Sequence, residues 1–146
     1  MIVVLGPTAT GKTHFAAFLA NALDREIISA DSRQVYRRMT IGSGKDYDDY
    51  VINGKVVPYH LVDIVEPGYE YNIFEYKRDF LKAYKDVLCR GKNVILCGGS
   101  GLYLESVMAN YRLDEVPFNH SLRNSLCKKS DDELASLLSS DRKSVV

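Results

Sequence analysis

Apolar residues fall in short runs separated by longer stretches of mixed character, and the spacing changes from run to run. Ile2-Val3-Val4-Leu5 is a β-branched run that stops at Gly6, which predicts a short strand buried on both faces. From Lys12 to Leu23, the positions Phe15, Phe18, Leu19, Ala22 and Leu23 recur at helical spacing. Glu26-Ile27-Ile28-Ser29-Ala30 reads as a second strand with Asp31 at its exit. Two apolar arms, Val51-Ile52 and Val56-Val57, flank Asn53-Gly54, a pair that tolerates positive φ and so predicts a hairpin. Tyr59 to Ile64 then reads as another core strand, closed by Pro67-Gly68.

Asn72 with Glu75 three residues on forms a capping box, and Gly91 suits the residue after a helix, so one long helix is expected from Ile73 to Arg90. Its buried stripe would be Tyr76, Phe80, Ala83, Tyr84, Val87 and Leu88. Asn93 to Cys97 is a fourth apolar strand, running into Gly98-Gly99-Ser100-Gly101 and a helix through about Asn110. Alternating strands and helices imply an α/β fold: a doubly wound, mostly parallel sheet with helices on both faces and ligands outside the carboxyl ends of the strands. After Pro117 the chain is polar and helical in pattern, with a Ser130/Glu133 capping box ahead of Leu134, Leu137 and Leu138. The expected organisation is a core over 1–117 and, over 118–146, the beginning of a helical domain.

Composition narrows the class. With 46% hydrophobic and 26% charged residues and four prolines in 146 residues, the chain is neither disordered, collagen-like nor a coiled coil. A chain of this size buries roughly 70% of its unfolded surface, enough for a core. No apolar run approaches the roughly 18–20 residues of a membrane span, so no membrane association is expected. Met1 to Leu5 runs straight into Gly6-Pro7 with no basic leader, so no secretory signal is expected. Cys89, Cys97 and Cys127 lack close paired spacing, which favours reduced thiols, no disulfide and a cytoplasmic location. Nineteen basic against nineteen acidic residues give zero net charge, which by itself leans away from a nucleic-acid-binding surface.

The chemistry-bearing motif is Gly6-Pro7-Thr8-Ala9-Thr10-Gly11-Lys12-Thr13, a full match to the phosphate-binding P-loop between a predicted strand and a predicted helix. Gly6 and Gly11 would let the backbone curl so that its N–H groups point at phosphate oxygens, aided by the helix N-terminus. Lys12 supplies a cation for the terminal phosphate, and the Thr13 hydroxyl is suited to ligate Mg²⁺. The competing reading is a glycine-rich turn with an accidental lysine, which the full match in the right context disfavours. The core is accordingly expected to be P-loop NTPase-like.

Asp31 reads in two ways. At the end of the second strand it would lie beside the P-loop and could take a proton from an incoming nucleophile; equally, it could cap a short helix starting near Ser32. Asp63 reads either as a carboxylate for the metal or as a strand-end residue in a local pair. His60, flanked by apolar residues, reads as structural, and His14 and His120 lack partners at the spacing of a zinc site.

Four ordered segments resemble the bacterial tRNA dimethylallyltransferases, also called tRNA isopentenyltransferases: GPTATGKT, SADSRQVYRRMTIGSGK (Ser29 to Lys45), PYHLVDIVEP (Pro58 to Pro67) and GGSGLYL (Gly98 to Leu104). The resemblance implies that the P-loop holds the diphosphate of dimethylallyl diphosphate, with Mg²⁺ as cofactor. The acceptor would be the exocyclic amine of adenine 37 in the anticodon loop of tRNAs reading codons that begin with uridine. By the same resemblance Asp31 is the general base, with Lys12 and Thr13 catalytic beside it. Asp31, Ser32, Arg33 and Gln34 form the segment contacting the tRNA, Ser100 stands at a tRNA-contacting position usually held by threonine, and Arg123 aligns with a further tRNA contact. Gln34 is the candidate for the base edge, Arg33 for phosphate and Lys45 for a backbone contact. A monomeric protein is expected, and members of that family are substantially longer, so the remainder of the helical insertion would follow Val146.

Two related enzyme classes compete: a plant-type adenylate isopentenyltransferase acting on a free nucleotide, and a small-molecule P-loop kinase. The former usually carries Leu-Gly where Val62-Asp63 stands, and the latter leaves GGSGLYL and Asp31-Ser32-Arg33-Gln34 unexplained. A degenerate, non-catalytic nucleotide-binding module conflicts with intact Lys12, Thr13 and Asp31. Arg33, Arg37, Arg38 and Lys45 face only Asp31 between residues 31 and 45, so the neutral total is expected to conceal a basic patch.

Overall fold

A computed structural model describes residues 1–109 and 119–141, and the chain divides into two compact units, Met1–Leu113 and Asp114–Val146. The expected boundary at residue 117 and the helix end at Asn110 lie outside the described residues.

In chain order the first unit comprises β1 (Ile2–Leu5), α1 (Lys12–Ala22), β2 (Arg25–Ala30), a 3₁₀ turn (Asp48–Tyr50), β3 (Val51–Ile52), β4 (Lys55–Val56), β5 (Tyr59–His60), α2 (Ile73–Cys89), β6 (Asn93–Gly98) and α3 (Gly101–Met108). β1, β6, β2 and β5 form one parallel sheet in that order, while β3 and β4 make the antiparallel hairpin around Asn53-Gly54, both at positive φ. The register sets Leu5 beside Gly98 and Gly98 beside Ala30. Three strands therefore end level, and the residues that follow them, Gly6, Gly99 and Asp31, emerge at one edge of the sheet.

Successive strand residues point to opposite faces. Ile28, Val94 and Leu96 pack with Tyr76, Phe80 and Val87 of α2 and with Tyr103 and Leu104 of α3, while Ile27, Ile95 and Cys97 pack with Ala16, Ala17 and Ala20 of α1 and with the hairpin residues Ile52 and Val57. Ile27, Ile28, Ile95 and Leu96 are fully buried, each worth about 1.5–3 kcal/mol of transfer free energy. At one end of the sheet, Glu26 is held by Arg90 in two hydrogen bonds (3.1 and 2.6 Å) and contacts His60 Nε2 at 2.7 Å, joining β2, β5 and the end of α2. His60 is structural, as its apolar flanks implied.

Three expectations need correction. β1 is not buried on both faces: it forms an edge of the sheet, is half-buried, and leaves Leu5 65% exposed. α1 seats its small residues Ala16, Ala17 and Ala20 on the sheet, with Phe15 and Phe18 more than half exposed, because short side chains let the helix approach the strands closely. The strand expected over Tyr59 to Ile64 stops at His60, since Leu61 and Asp63 take left-handed backbone (φ +62° and +55°) that no strand accommodates. α2 follows its pattern: Asn72 and Glu75 close both bonds of the capping box, and Gly91 has φ +73°.

The second unit contains α4 (His120–Leu126) and α5 (Asp131–Asp141). Asn119 Oδ1 accepts from the Leu122 N–H (2.9 Å), and Ser130 and Glu133 form the reciprocal cap ahead of α5. Leu137 and Leu138 are exposed.

Candidate functional site

Above the level ends of β1, β6 and β2 lies an open cavity of about 320 Å³. One wall is the P-loop, contributing Thr8, Ala9, Thr10, Gly11, Lys12 and Thr13; the opposite wall is Asp31, Ser32, Arg33 and Gln34; Gly98, Gly99 and Ser100 line it between them. Residues as far apart in the chain as Thr8 and Ser100 thus share one space.

The P-loop is held by its own short-range bonds. Thr10 Oγ1 donates to Pro7 O (2.9 Å), and Lys12 Nζ donates to the same carbonyl. The left-handed residues of the loop are Ala9 (φ +61°) and Gly11 (φ +74°), so the curl expected at Gly6 is supplied at Ala9 instead. Gly6 and Pro7, expected to bind diphosphate, do not line the cavity; Pro7 contributes the carbonyl that accepts both bonds.

The second wall depends on distant residues. Ser100 Oγ accepts from the Ser32 N–H (2.8 Å) and donates to Ser32 Oγ (3.2 Å). Ser100 N donates to Ala30 O, and β6 runs so close to β2 that a Cβ at Gly98 would sit 2.2 Å from that carbonyl oxygen. Asp31 Oδ1 accepts from the Arg33 N–H (2.8 Å), closing a turn over Ser32 to Val35 rather than capping a helix. That bond uses one carboxylate oxygen of a side chain that also lines the cavity. Gln34 is buried, accepting from Ser29 Oγ (3.3 Å) and donating to Gly44 O (3.2 Å), so its amide braces the segment over residues 42–44 at the cavity rim.

Lys45 is not a surface cation. Its side chain is 0% exposed, bonded to Asp63 Oδ1 and to Tyr36 O, both at 2.5 Å. Asp63 Oδ2 also accepts from Tyr47 OH (2.6 Å), which pushes the Tyr47 hydroxyl up to about 12. Asp63 therefore serves a local pair and does not line the cavity. Arg37 binds Glu66 (3.1 Å) and Asp63 O. The basic patch expected over residues 31–45 is thereby reduced, with Lys45 and Arg37 engaged in ion pairs.

Three lining residues carried no signal in the sequence reading: Asp49 and Tyr50, delivered by the 3₁₀ turn ahead of the hairpin, and Cys97 of β6. Burial pushes the Cys97 thiol up to about 11 and raises Tyr50; burial, then Asp46, raises Asp49. A second, mostly apolar groove, lined by Tyr36, Met39, Ile41 and Tyr69, shares Arg33, Gly42 and Ser43 with the first. Arg123 lies on α4, in the second unit.

Comparison with known proteins gives this geometry its family. Residues 34–144 match the family model described as IPP transferase. The tRNA dimethylallyltransferase 2 of Phocaeicola vulgatus is 62% identical over 143 residues, covering 98% of this chain and 47% of that protein. The tRNA dimethylallyltransferase 1 of Parabacteroides distasonis is 59% identical over 140 residues, covering 96% and 46%. Among solved structures, the tRNA isopentenylpyrophosphate transferase of Bacillus halodurans superposes with a TM-score of 0.72 at 33% identity, over 86% of this chain and 40% of that one. A eukaryotic dimethylallyltransferase acting on tRNA gives 0.79 at 27%, over 94% and 34%. The neighbours share the P-loop NTPase-like fold seen here. The chain spans about half the length of the curated relatives it matches. With more than half of its residues inside the family model and its parallel sheet superposing on those structures, the chain belongs to the IPP transferase family.

Proposed function

We propose that this chain is the catalytic core of a tRNA dimethylallyltransferase, which moves the dimethylallyl group of dimethylallyl diphosphate to the exocyclic amine of adenine 37. The product is N6-(dimethylallyl)adenosine in tRNAs that read codons beginning with uridine. One observation carries the reading: a complete phosphate cradle and the carboxylate Asp31 line the same cavity.

In this reading the P-loop N–H groups and Lys12 bind the diphosphate. The adenine N6 attacks C1 of the allyl group, the C–N bond forms as the C–O bond to diphosphate breaks, and Asp31 takes the amine proton. Preorganised donors matter here because a weakly nucleophilic aromatic amine needs a well-stabilised leaving group. The cavity lining offers oxygen donors, the Thr13 hydroxyl and the carboxylates of Asp31 and Asp49, a set whose chemistry suits Mg²⁺. When bound, that ion neutralises charge on the departing diphosphate. Thr13 would hold it.

Extracting the adenine from the anticodon stack costs a few kcal/mol, which stacking and hydrogen bonds must offset. Ser32, Arg33 and Ser100 line the side of the cavity where an incoming nucleotide would sit. The adjoining groove offers the Tyr36 and Tyr69 rings for flanking bases. The bonded amide of Gln34 supports a bracing role at that rim. Arg123 is proposed as a further tRNA contact of the second unit, the start of the helical domain, in a monomeric, cytoplasmic enzyme.

The test is to incubate the intact protein with dimethylallyl-labelled diphosphate donor and unmodified tRNA, then digest the RNA to nucleosides. Label in N6-modified adenosine is expected. Label carried only by added free AMP would overturn the tRNA assignment, and transfer from γ-labelled ATP to a small alcohol would point to a kinase.

A further inference from the structure

The strand next to the P-loop strand, β6, ends in Cys97-Gly98-Gly99 and offers no carboxylate to a cation at Thr13. Among the described residues, the carboxylates lining the cavity are Asp31 and Asp49. They arrive from different directions. Asp31 is turned into the Ser32–Gln34 wall by its bond to the Arg33 N–H. Asp49 comes from the 3₁₀ turn packed on α1: its Oδ1 lies 3.9 Å from Nδ1 of His14, the residue after Thr13 on the first turn of that helix.

Asp49 is held firmly in that position. Its neighbour Tyr50 is buried and stacks on Tyr59 of β5 with ring centroids 4.1 Å apart, and Tyr50 O accepts from the Val57 N–H (2.8 Å) at the foot of the hairpin. The hairpin therefore anchors the 3₁₀ turn that brings Asp49 to the cavity lining. A carboxylate there is favoured by the helix N-terminus. Beside a bound diphosphate, however, two anions would repel each other unless a cation lay between them.

Resting on the diphosphate reading above, we propose that Asp49 is the metal-side carboxylate of this site, holding the divalent cation against the diphosphate together with Thr13, while Asp31 serves the acceptor. Mg²⁺ characteristically takes one or two carboxylates plus phosphate oxygens and water, which matches this division of labour. Asp49 thus changes from an obstacle to a ligand as the cation enters.

The experiment measures calorimetric binding of inorganic diphosphate to the intact protein, without tRNA, in Mg²⁺ and in chelator, alongside Mn²⁺ paramagnetic resonance. Mg²⁺ is expected to tighten diphosphate binding in the native protein. Asp49→Asn is expected to lose roughly tenfold of that enhancement, to bind diphosphate as well or better in chelator, and to weaken Mn²⁺ binding; Asp31→Asn is expected to retain the enhancement. Asp49→Ser, with unfolding midpoints for every variant, repeats the measurement if the asparagine variant is unstable. Full Mg²⁺ enhancement in both folded Asp49 variants, or its loss in Asp31→Asn instead, overturns the assignment. Failure of the native protein to bind diphosphate under either condition removes the donor reading itself, and the metal assignment with it.

Discussion

The P-loop wall of the cavity comes from consecutive residues, Gly6 to Thr13, and its internal bonds from Thr10 and Lys12 span three and five positions. The opposite wall, Asp31 to Gln34, is held by Ser100, sixty-eight positions away, by Gly44, and by the Lys45–Asp63 pair behind it. One wall is thus a local motif that any chain carrying it could form. The other exists only when β6, the residues 42–45 and the loop after β5 are all in place. In the proposed reading, donor binding rests on the local motif, whereas acceptor selection rests on a surface assembled from the whole core.

The strongest probe of this contrast is Asp31→Asn, which should lower turnover by roughly 10²–10⁴-fold by removing the base while diphosphate binding, read by calorimetry, persists. Near-normal turnover would reduce Asp31 to the turn-forming residue its bond to Arg33 already makes it. Next in size, Lys45→Met strands Asp63 in a partly buried site and should cost about 3 kcal/mol of stability in denaturant titration. Its effect on the tRNA KM should exceed that on diphosphate affinity; equal effects would show that the two walls are not separately built. Ser100→Ala removes the acceptor of the Ser32 N–H and should cost about 1 kcal/mol, seen as a raised tRNA KM with diphosphate affinity unchanged.

The smallest effect concerns the far end of the sheet. Arg90 first, and His60 after it, hold the Glu26 carboxyl below its ordinary value of 4.5. A depressed folded-state pKa adds stability above the unfolded value that is lost as pH falls through the folded one. Melting temperature should therefore be level near neutrality and fall below about pH 4.5, with a shallower fall in Glu26→Gln. Because Arg90 is half exposed, solvent screening keeps the term modest. An unchanged acid slope in the variant would mean the pair does not contribute.

Most elements could be read from local pattern. The capping box at Asn72 and Glu75, the Asn53-Gly54 turn and the apolar runs of β1, β2 and β6 involve residues a few positions apart, and local sterics and bonding decide them. Burial was less legible. Periodicity identifies which residues of α1 are apolar but not which face meets the sheet, and the small face won because close helix–sheet approach favours alanine over Phe15 and Phe18. The strand after Tyr59 was overestimated because its apolar composition carries no mark of the left-handed turns at Leu61 and Asp63, which the Lys45 pairing accompanies.

By itself, the sequence determined the order of most elements, the glycine-bounded loop between β1 and α1 and the placement of Asp31 at the exit of β2, since each follows from spacing along a short stretch of chain. Only the tertiary structure decided that Lys45 and Asp63 neutralise each other inside the fold, that Gln34 braces a loop, and that Asp49 lines the same cavity as Asp31. Those outcomes depend on which distant side chains meet, and pairing across tens of residues is settled by packing of the sheet and hairpin, a quantity that no local pattern encodes.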